Sequence, residues 1–246
     1  NGLRTGPDGT LYVSTRRGGI QRLRAGSAEF EDVPGLPPVG RRQLLLWIDP
    51  DGSLLVAQDH QLLKLPAAGG SAQVWAKGAL PADQHFLAAR PLGDGYVLGS
   101  NQSGLFRVDA RGQVQTHYGR AEGLPDEGIR ALQVDAQGRL WIGTVEGLAR
   151  LEPDDSLVAW KHVPGDPYAL PGDRISALTL DRQGLLWIGT WSGGLARFDA
   201  LTEHFRVLRA QVDGLPRSAA PALAPGPDGS LWVGMVDRGG LVQLDA

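Results

Sequence analysis

The stretch Gly138-Arg139-Leu140-Trp141-Ile142-Gly143-Thr144, closed by Gly147-Leu148-Ala149-Arg150-Leu151, decides how this chain is read. Leu140 to Thr144 carries no charge and is rich in strand-forming side chains, as expected of a strand covered on both faces. Upstream, Ile129 to Asp135 alternates apolar and polar residues, the period of a half-buried strand. Ala136-Gln137-Gly138 joins the two as a tight turn, because glycine accepts the positive φ such hairpins need. Downstream, Val145-Glu146-Gly147 turns the chain and Leu148 to Leu151 returns. Glu152 to Asp155 turns it again, and Leu157 to Val163 supplies a fourth strand. No window has the period of an amphipathic helix.

The phrase recurs. It returns as Gln183-Gly184-Leu185-Leu186-Trp187-Ile188-Gly189-Thr190 followed by Gly194-Leu195-Ala196-Arg197-Phe198-Asp199, and as Asp228-Gly229-Ser230-Leu231-Trp232-Val233-Gly234-Met235 followed by Gly240-Leu241-Val242-Gln243-Leu244-Asp245. Weaker copies begin at Asp8-Gly9, Asp51-Gly52 and Asp94-Gly95. The central anchors are Tyr12, Leu55, Tyr96, Trp141, Trp187 and Trp232, spaced 43, 41, 45, 46 and 45 residues apart. Four short strands repeated at that period predict an all-β protein, a β-propeller of about six four-stranded blades across residues 1–246. Large aromatics at the anchors then fill the wedge between neighbouring blades. Asn1 to Pro7 aligns with Arg130 to Ala136, and the last unit stops after its third strand at Asp245. The expectation is therefore an incomplete last blade in a fragment of a longer propeller array.

Composition excludes several classes. Lys plus Arg is 24 and Asp plus Glu is 27, a net charge of −3, so no strong basic field serves nucleic acid or an anionic membrane. No apolar run approaches the ~18 residues that span a bilayer. Cysteine is absent, which removes disulfides, thiolate catalysis and Cys-based zinc sites. The absence of a catalytic serine elbow, a phosphate loop or a dinucleotide fingerprint leaves no catalytic residue to name. No cofactor is expected. Asp49-Pro50-Asp51-Gly52 looks like a piece of a calcium loop but lacks the other ligands, so it reads as a hairpin turn.

Glu122-Gly123-Leu124-Pro125, the strand to Asp135, the Trp141 phrase and Gly147 to Leu151 together resemble the two-component regulator propeller repeat. Gly-Leu-Pro recurs at Gly35-Leu36-Pro37 and Gly214-Leu215-Pro216. The resemblance is specific in units four and five, good in six, and blurred in two and three, where Leu55 and Tyr96 replace Trp. It implies the periplasmic sensor region of a bacterial inner-membrane receptor with a histidine kinase or diguanylate cyclase output, non-catalytic itself. It also implies a small-molecule ligand, carbohydrate among the options, or a protein partner, and a homodimer in the parent receptor. No nucleic acid and no direct membrane contact by this region are implied.

By analogy with other propellers, the ligand face is built from the loops joining second to third strands and those entering first strands. Mapped onto this sequence, the ligand-binding candidates are Arg17, Arg42, His60, His85, Asn101, Glu127, Glu146, Arg174, Trp191 and Arg238. These tips vary between copies whereas the second strands do not, as a scaffold carrying a specific site would show. Trp191 stands where Val145 and Val236 sit in sister copies; it either stacks on a ligand or plugs the channel mouth. His117, His162 and His204 fall near outer strands and read as surface residues, and no two histidines have metal-ligand spacing. Only His60 and His85 are close enough in blade order to meet, with Asp59 as a third group. Two rival readings remain: a metal-dependent propeller enzyme of the streptogramin lyase or lactonase type using His60, His85, Glu127 and Glu146, and a pure protein-interaction scaffold.

Overall fold

Every strand expected around Trp141 forms. The computed structural model describes residues 2–15, 19–37, 43–76, 80–81, 84–200, 202–210, 212–236 and 239–245. The first sheet holds β1 (Gly2–Thr5), β2 (Leu11–Thr15), β3 (Gly19–Leu23) and β4 (Glu31–Asp32). The second holds β5 (Gln43–Ile48), β6 (Leu54–Gln58), β7 (Gln61–Leu65) and β8 (Gln73–Val74), and the third β9 (Phe86–Leu92), β10 (Gly95–Ser100), β11 (Leu105–Val108) and β12 (Val114–Tyr118). A 3-10 turn, Arg120–Glu122, follows. The fourth sheet holds β13 (Ile129–Val134), β14 (Leu140–Thr144), β15 (Leu148–Leu151) and β16 (Leu157–Trp160). The fifth holds β17 (Ile175–Leu180), β18 (Leu186–Thr190), β19 (Leu195–Asp199) and β20 (His204–Leu208), and the sixth β21 (Ala222–Pro225), β22 (Leu231–Gly234) and β23 (Leu241–Leu244). All six are antiparallel meanders in chain order; the first five have four strands and the sixth three.

One boundary needs correction. The fourth strand of the fourth sheet ends at Trp160, not Val163. Its partner β15 begins at Leu148, which pairs with Trp160, so the ladder has nothing further to pair with. Beyond it the chain turns away, and the His162 N–H donates to the Asp173 carboxylate at 2.6 Å.

The chain divides into two units, residues 1–117 and 118–246. Within the first, β1 touches β5 and β5 touches β9; within the second, β13 touches β17 and β17 touches β21. First strands thus lie side by side in each unit, as the inner strands of fanned blades do. The second strands carry the core: β14 is buried along its whole length. Trp141 is 1% exposed and stacks on Trp160 at 5.5 Å, with Phe198 of the next sheet at 4.8 Å. Leu186, Ile188 and Phe205 complete that wedge. Trp187 packs in the same way against Leu231 and Val233.

The turns before Trp141 and Trp187 explain why those two anchors are Trp. Asp135 Oδ1 accepts the backbone N–H groups of Gln137 and Arg139, both at 3.0 Å, and Oδ2 accepts the Trp141 indole N–H at 2.9 Å. Asp181 repeats the arrangement, with Trp187 Nε1 at 2.8 Å. A buried indole needs such a partner. Thr144 and Thr190 close the other end by donating to the carbonyls of Gly147 and Gly194 at 2.8 and 2.9 Å.

The weaker third copy uses a different device. The Tyr96 hydroxyl donates to Asp49 Oδ1 at 2.5 Å, while Lys64 reaches Asp49 at 3.0 Å and the Tyr96 oxygen at 3.2 Å. Burial first, and the Asp49 carboxylate second, push the Tyr96 phenol up to about 12. An alkaline absorbance titration is therefore expected to show one of the four tyrosines ionising about two units above the usual ~10, and Tyr96→Phe to abolish that step alone. Four indistinguishable tyrosines near 10 would refute it. Because the folded value is raised, the stabilisation from this phenol is complete below ~10 and is lost as pH rises through about 12.

Candidate functional site

Two loop clusters hold the sequence candidates, one in each unit. In the first unit, the loop after β6 and the segment entering β9 bring His60 and His85 together, their rings stacked with centroids 4.9 Å apart. Asp59 takes a left-handed backbone, φ 50°, which lets its carbonyl oxygen lie 3.1 Å from His85 Nδ1. Asn101, on the loop after β10, joins them: its Oδ1 accepts the His85 N–H at 3.1 Å and its own N–H donates to the His85 carbonyl at 3.0 Å. His60, His85 and Asn101 thus form one polar knot. The hollow beneath it, lined by Leu44, Ala57 and Phe86, measures about 10 Å3 and accommodates one water at most. Among the described residues no cluster of three His, Asp or Glu side chains could hold a metal ion.

In the second unit, Glu127 and Glu146 both face Arg120, a residue that the sequence candidates did not include. Arg120 pairs through Nη2 with the Asp126 carboxylate and with Glu146 Oε2 at 3.3 Å, and its Nη1 donates to the Pro125 carbonyl at 3.0 Å. The Arg120 backbone N–H faces Glu127 Oε1 at 3.4 Å, and Lys161 approaches Glu146 at 4.0 Å. Arg120 and Glu146 are both about half exposed, at 52% and 53%, so such pairs contribute ~0–1 kcal/mol each. The signal for Arg120 was available: it is a basic residue in the connection that enters a first strand, placed before an acidic Gly-Leu-Pro segment.

Arg174 and Trp191 meet beside this cluster in sequence order. The Trp191 N–H donates to the Arg174 carbonyl at 3.0 Å, and the Arg174 guanidinium lies 5.4 Å over the indole. Trp191 remains 43% exposed. The loop behind it is locked: a Cβ on Gly193 would stand 2.0 Å from the Pro171 carbonyl oxygen. The Gly194 N–H donates to Ser218 O at 2.8 Å, which adds the next blade's entry loop. His162, as expected, is exposed, with Nδ1 2.6 Å from Leu170 O; His117 and His204 are exposed too. Arg17, Arg42 and Arg238 lie outside the described residues.

A hollow of about 430 Å3 lies elsewhere, by the turns between first and second strands of the fifth and sixth sheets. Trp187, Arg197, Arg206, Leu208 and Leu244 line it. In the sister wedge that space is filled by Trp160, Phe198 and Phe205; leucines stand at the places of Trp160 and Phe198, and β23 has no fourth strand beside it.

Residues 123–146 and 169–192 match the family model described as the two component regulator propeller. The two segments contain Glu127 and Glu146 in one case and Arg174 and Trp191 in the other, each pair bracketing its own first and second strands. No curated protein matches. Among solved structures, the chain resembles one described as the extracellular domain of a hybrid two component system of B. thetaiotaomicron, at 20% identity and a TM-score of 0.78, covering 99% of this chain and 33% of that one. This chain therefore spans about a third of that protein's length. Virginiamycin B lyase from Staphylococcus aureus is similar at 12% identity and a TM-score of 0.73, over 99% and 83% of the two chains. PorZ of Porphyromonas gingivalis, a surface component of the type-IX secretion system, is similar at 16% identity and 0.73, over 98% and 38%. At these identities the likeness is one of fold: an all-β propeller.

Proposed function

We propose that this propeller is the periplasmic sensory module of a bacterial membrane receptor with a kinase or diguanylate cyclase output, and that it binds its ligand on the loop face. The observation that carries the reading is Trp191. It is an exposed indole held by Arg174 on the loop face of a regulator propeller repeat, at a position where the sister copy has valine. An exposed, rigid aromatic beside charged groups suits a flat, hydroxylated ring such as a sugar, whose C–H face stacks while its hydroxyls reach Arg174 and the carboxylates around Arg120. The ligand transmits a signal only if it binds one receptor state better than the other, which a homodimer in the parent receptor would provide.

Calorimetric screening of sugars, peptides and cell-wall fragments tests this. Trp191→Ala is expected to weaken a hit by tenfold or more (~1.4 kcal/mol) with an unfolding midpoint close to the parent's, because the indole is exposed. A hit that is indifferent to Trp191, or a receptor that signals unchanged when the propeller is deleted, would overturn the reading. The lyase-type enzyme needs histidine and carboxylate groups around a metal. His60 and His85 do meet, but their near neighbours are the Asp59 carbonyl and Asn101, and Glu127 and Glu146 are turned to Arg120.

A further inference from the structure

Several cations that are wholly or partly buried are paired with carboxylates. Arg22 has Glu31 at 2.8 Å, Lys64 has Asp49 at 3.0 Å, and Arg150 has Glu152 and Glu203. Two arginines on inner strands of the first unit, one on either side of β5, lack such a pair among the described residues. Among the described residues, Arg4, on β1, donates to the neighbouring Leu3 carbonyl at 3.2 Å, and its Nε is buried without a hydrogen-bond partner. Arg90, on β9, likewise donates to the neighbouring Ala89 carbonyl at 2.9 Å. Its guanidinium lies 5.1 Å over the ring of Trp47 on β5, the strand between them, and the Trp47 Nε1 is also buried without a partner. Burial is the first influence on both guanidinium groups; it lowers Arg4 and brings Arg90 down to about 10, with the Arg4 charge adding to it at Arg90. No carboxylate among the described residues acts on either.

Taking a guanidinium out of water without a counter-charge is costly, and two close together add repulsion. A guanidinium offers five N–H donors in a planar fork that suits an oxyanion. We propose that Arg4 and Arg90, with the Trp47 indole N–H, form an anion site on the inner strands of the first unit, taking a small oxyanion such as a carboxylate or phosphate group. The site is separate from the loop face and does not depend on the ligand proposed there. Trp47 acts as the platform that holds the Arg90 fork; Arg4 Nε and Trp47 Nε1 supply donors that nothing else in the described fold satisfies. Such a site would make the stability of these blades respond to an anion.

Thermal unfolding of this chain in inorganic phosphate, acetate and chloride at matched ionic strength tests it. The expected result is a saturable rise of the midpoint with phosphate or acetate and none with chloride, the two active arms separating a phosphate from a carboxylate preference. Arg4→Met and Arg90→Met are each expected to weaken the response at least tenfold, a loss of one fork from a two-fork site. Arg182→Met, on the second unit, should leave it unchanged. Should Arg90→Met fail to fold, Arg90→Lys keeps the charge and loses the fork, and Trp47→Phe keeps the ring and loses the donor; both are expected to weaken binding about threefold or more. A wild-type response to chloride equal to that for phosphate, no saturable response, or arginine variants that respond like the wild type would each overturn the proposal.

Discussion

Trp141→Ala is expected to lower unfolding stability by about 3–5 kcal/mol, the range for removing a large aromatic from a packed core. Trp141 is 1% exposed and joins two sheets, packing on Trp160 of its own blade and on Phe198, Leu186 and Ile188 of the next. The substitution opens a cavity in that wedge and also strips Asp135 Oδ2 of its indole donor, leaving a carboxylate oxygen that is nearly buried. Trp187→Ala provides the comparison. Trp187 makes the same hydrogen bond to Asp181 but is only half-buried and borders the open hollow, so its loss should cost clearly less. Denaturant unfolding of the two variants measures the difference. Equal losses would mean that the wedge between the fourth and fifth sheets is no better packed than the one after it.

Gly189→Ala is the second large effect, and its sign runs against intuition. Alanine in a strand interior normally stabilises relative to glycine, by roughly 0.5–1 kcal/mol. At Gly189 a Cβ would stand 2.2 Å from the carbonyl oxygen of Ala220, backbone of the next blade's entry segment. That oxygen cannot retreat freely, since it accepts the Ser176 hydroxyl at 2.9 Å while the Ala220 N–H is bound to Thr190 O at 2.9 Å. The added methyl must push two blades apart, and the expected cost is about 1–3 kcal/mol or more. Gly234→Ala is the milder control, because its nearest neighbour is the Ala222 methyl at 3.2 Å. A neutral or stabilising Gly189→Ala would show that the approach between these blades is slack.

Much of the fold was legible before any coordinates. The strands around Trp141 and the turn at Gly138 follow from periods and glycine positions that depend only on near neighbours along the chain. The overlong fourth strand shows the limit of that reasoning: Leu157 to Val163 has strand-like residues throughout, but a strand ends where its partner ends. The recurring glycine in Trp-Ile-Gly-Thr was visible as a repeat mark, while its cause was not, because the atom it must clear belongs to a residue about thirty positions away. At the candidate site, His60 with His85 was anticipated from blade order. Arg120 was not, because a lone arginine in a loop looks like any solvated cation until two carboxylates are found turned toward it.

By itself, then, the amino-acid order determined the blade period, the strand sequence and the positions of the anchors, since each is written in local spacing of apolar side chains and turn residues. Tertiary structure alone decided that Trp191 is exposed, that Glu127 and Glu146 face Arg120, and that no carboxylate among the described residues acts on Arg4 or Arg90. Those facts depend on which side chains meet across strands and blades far apart in the chain. Burial and charge pairing are properties of the assembled surroundings, so no residue carries them in its own sequence neighbourhood.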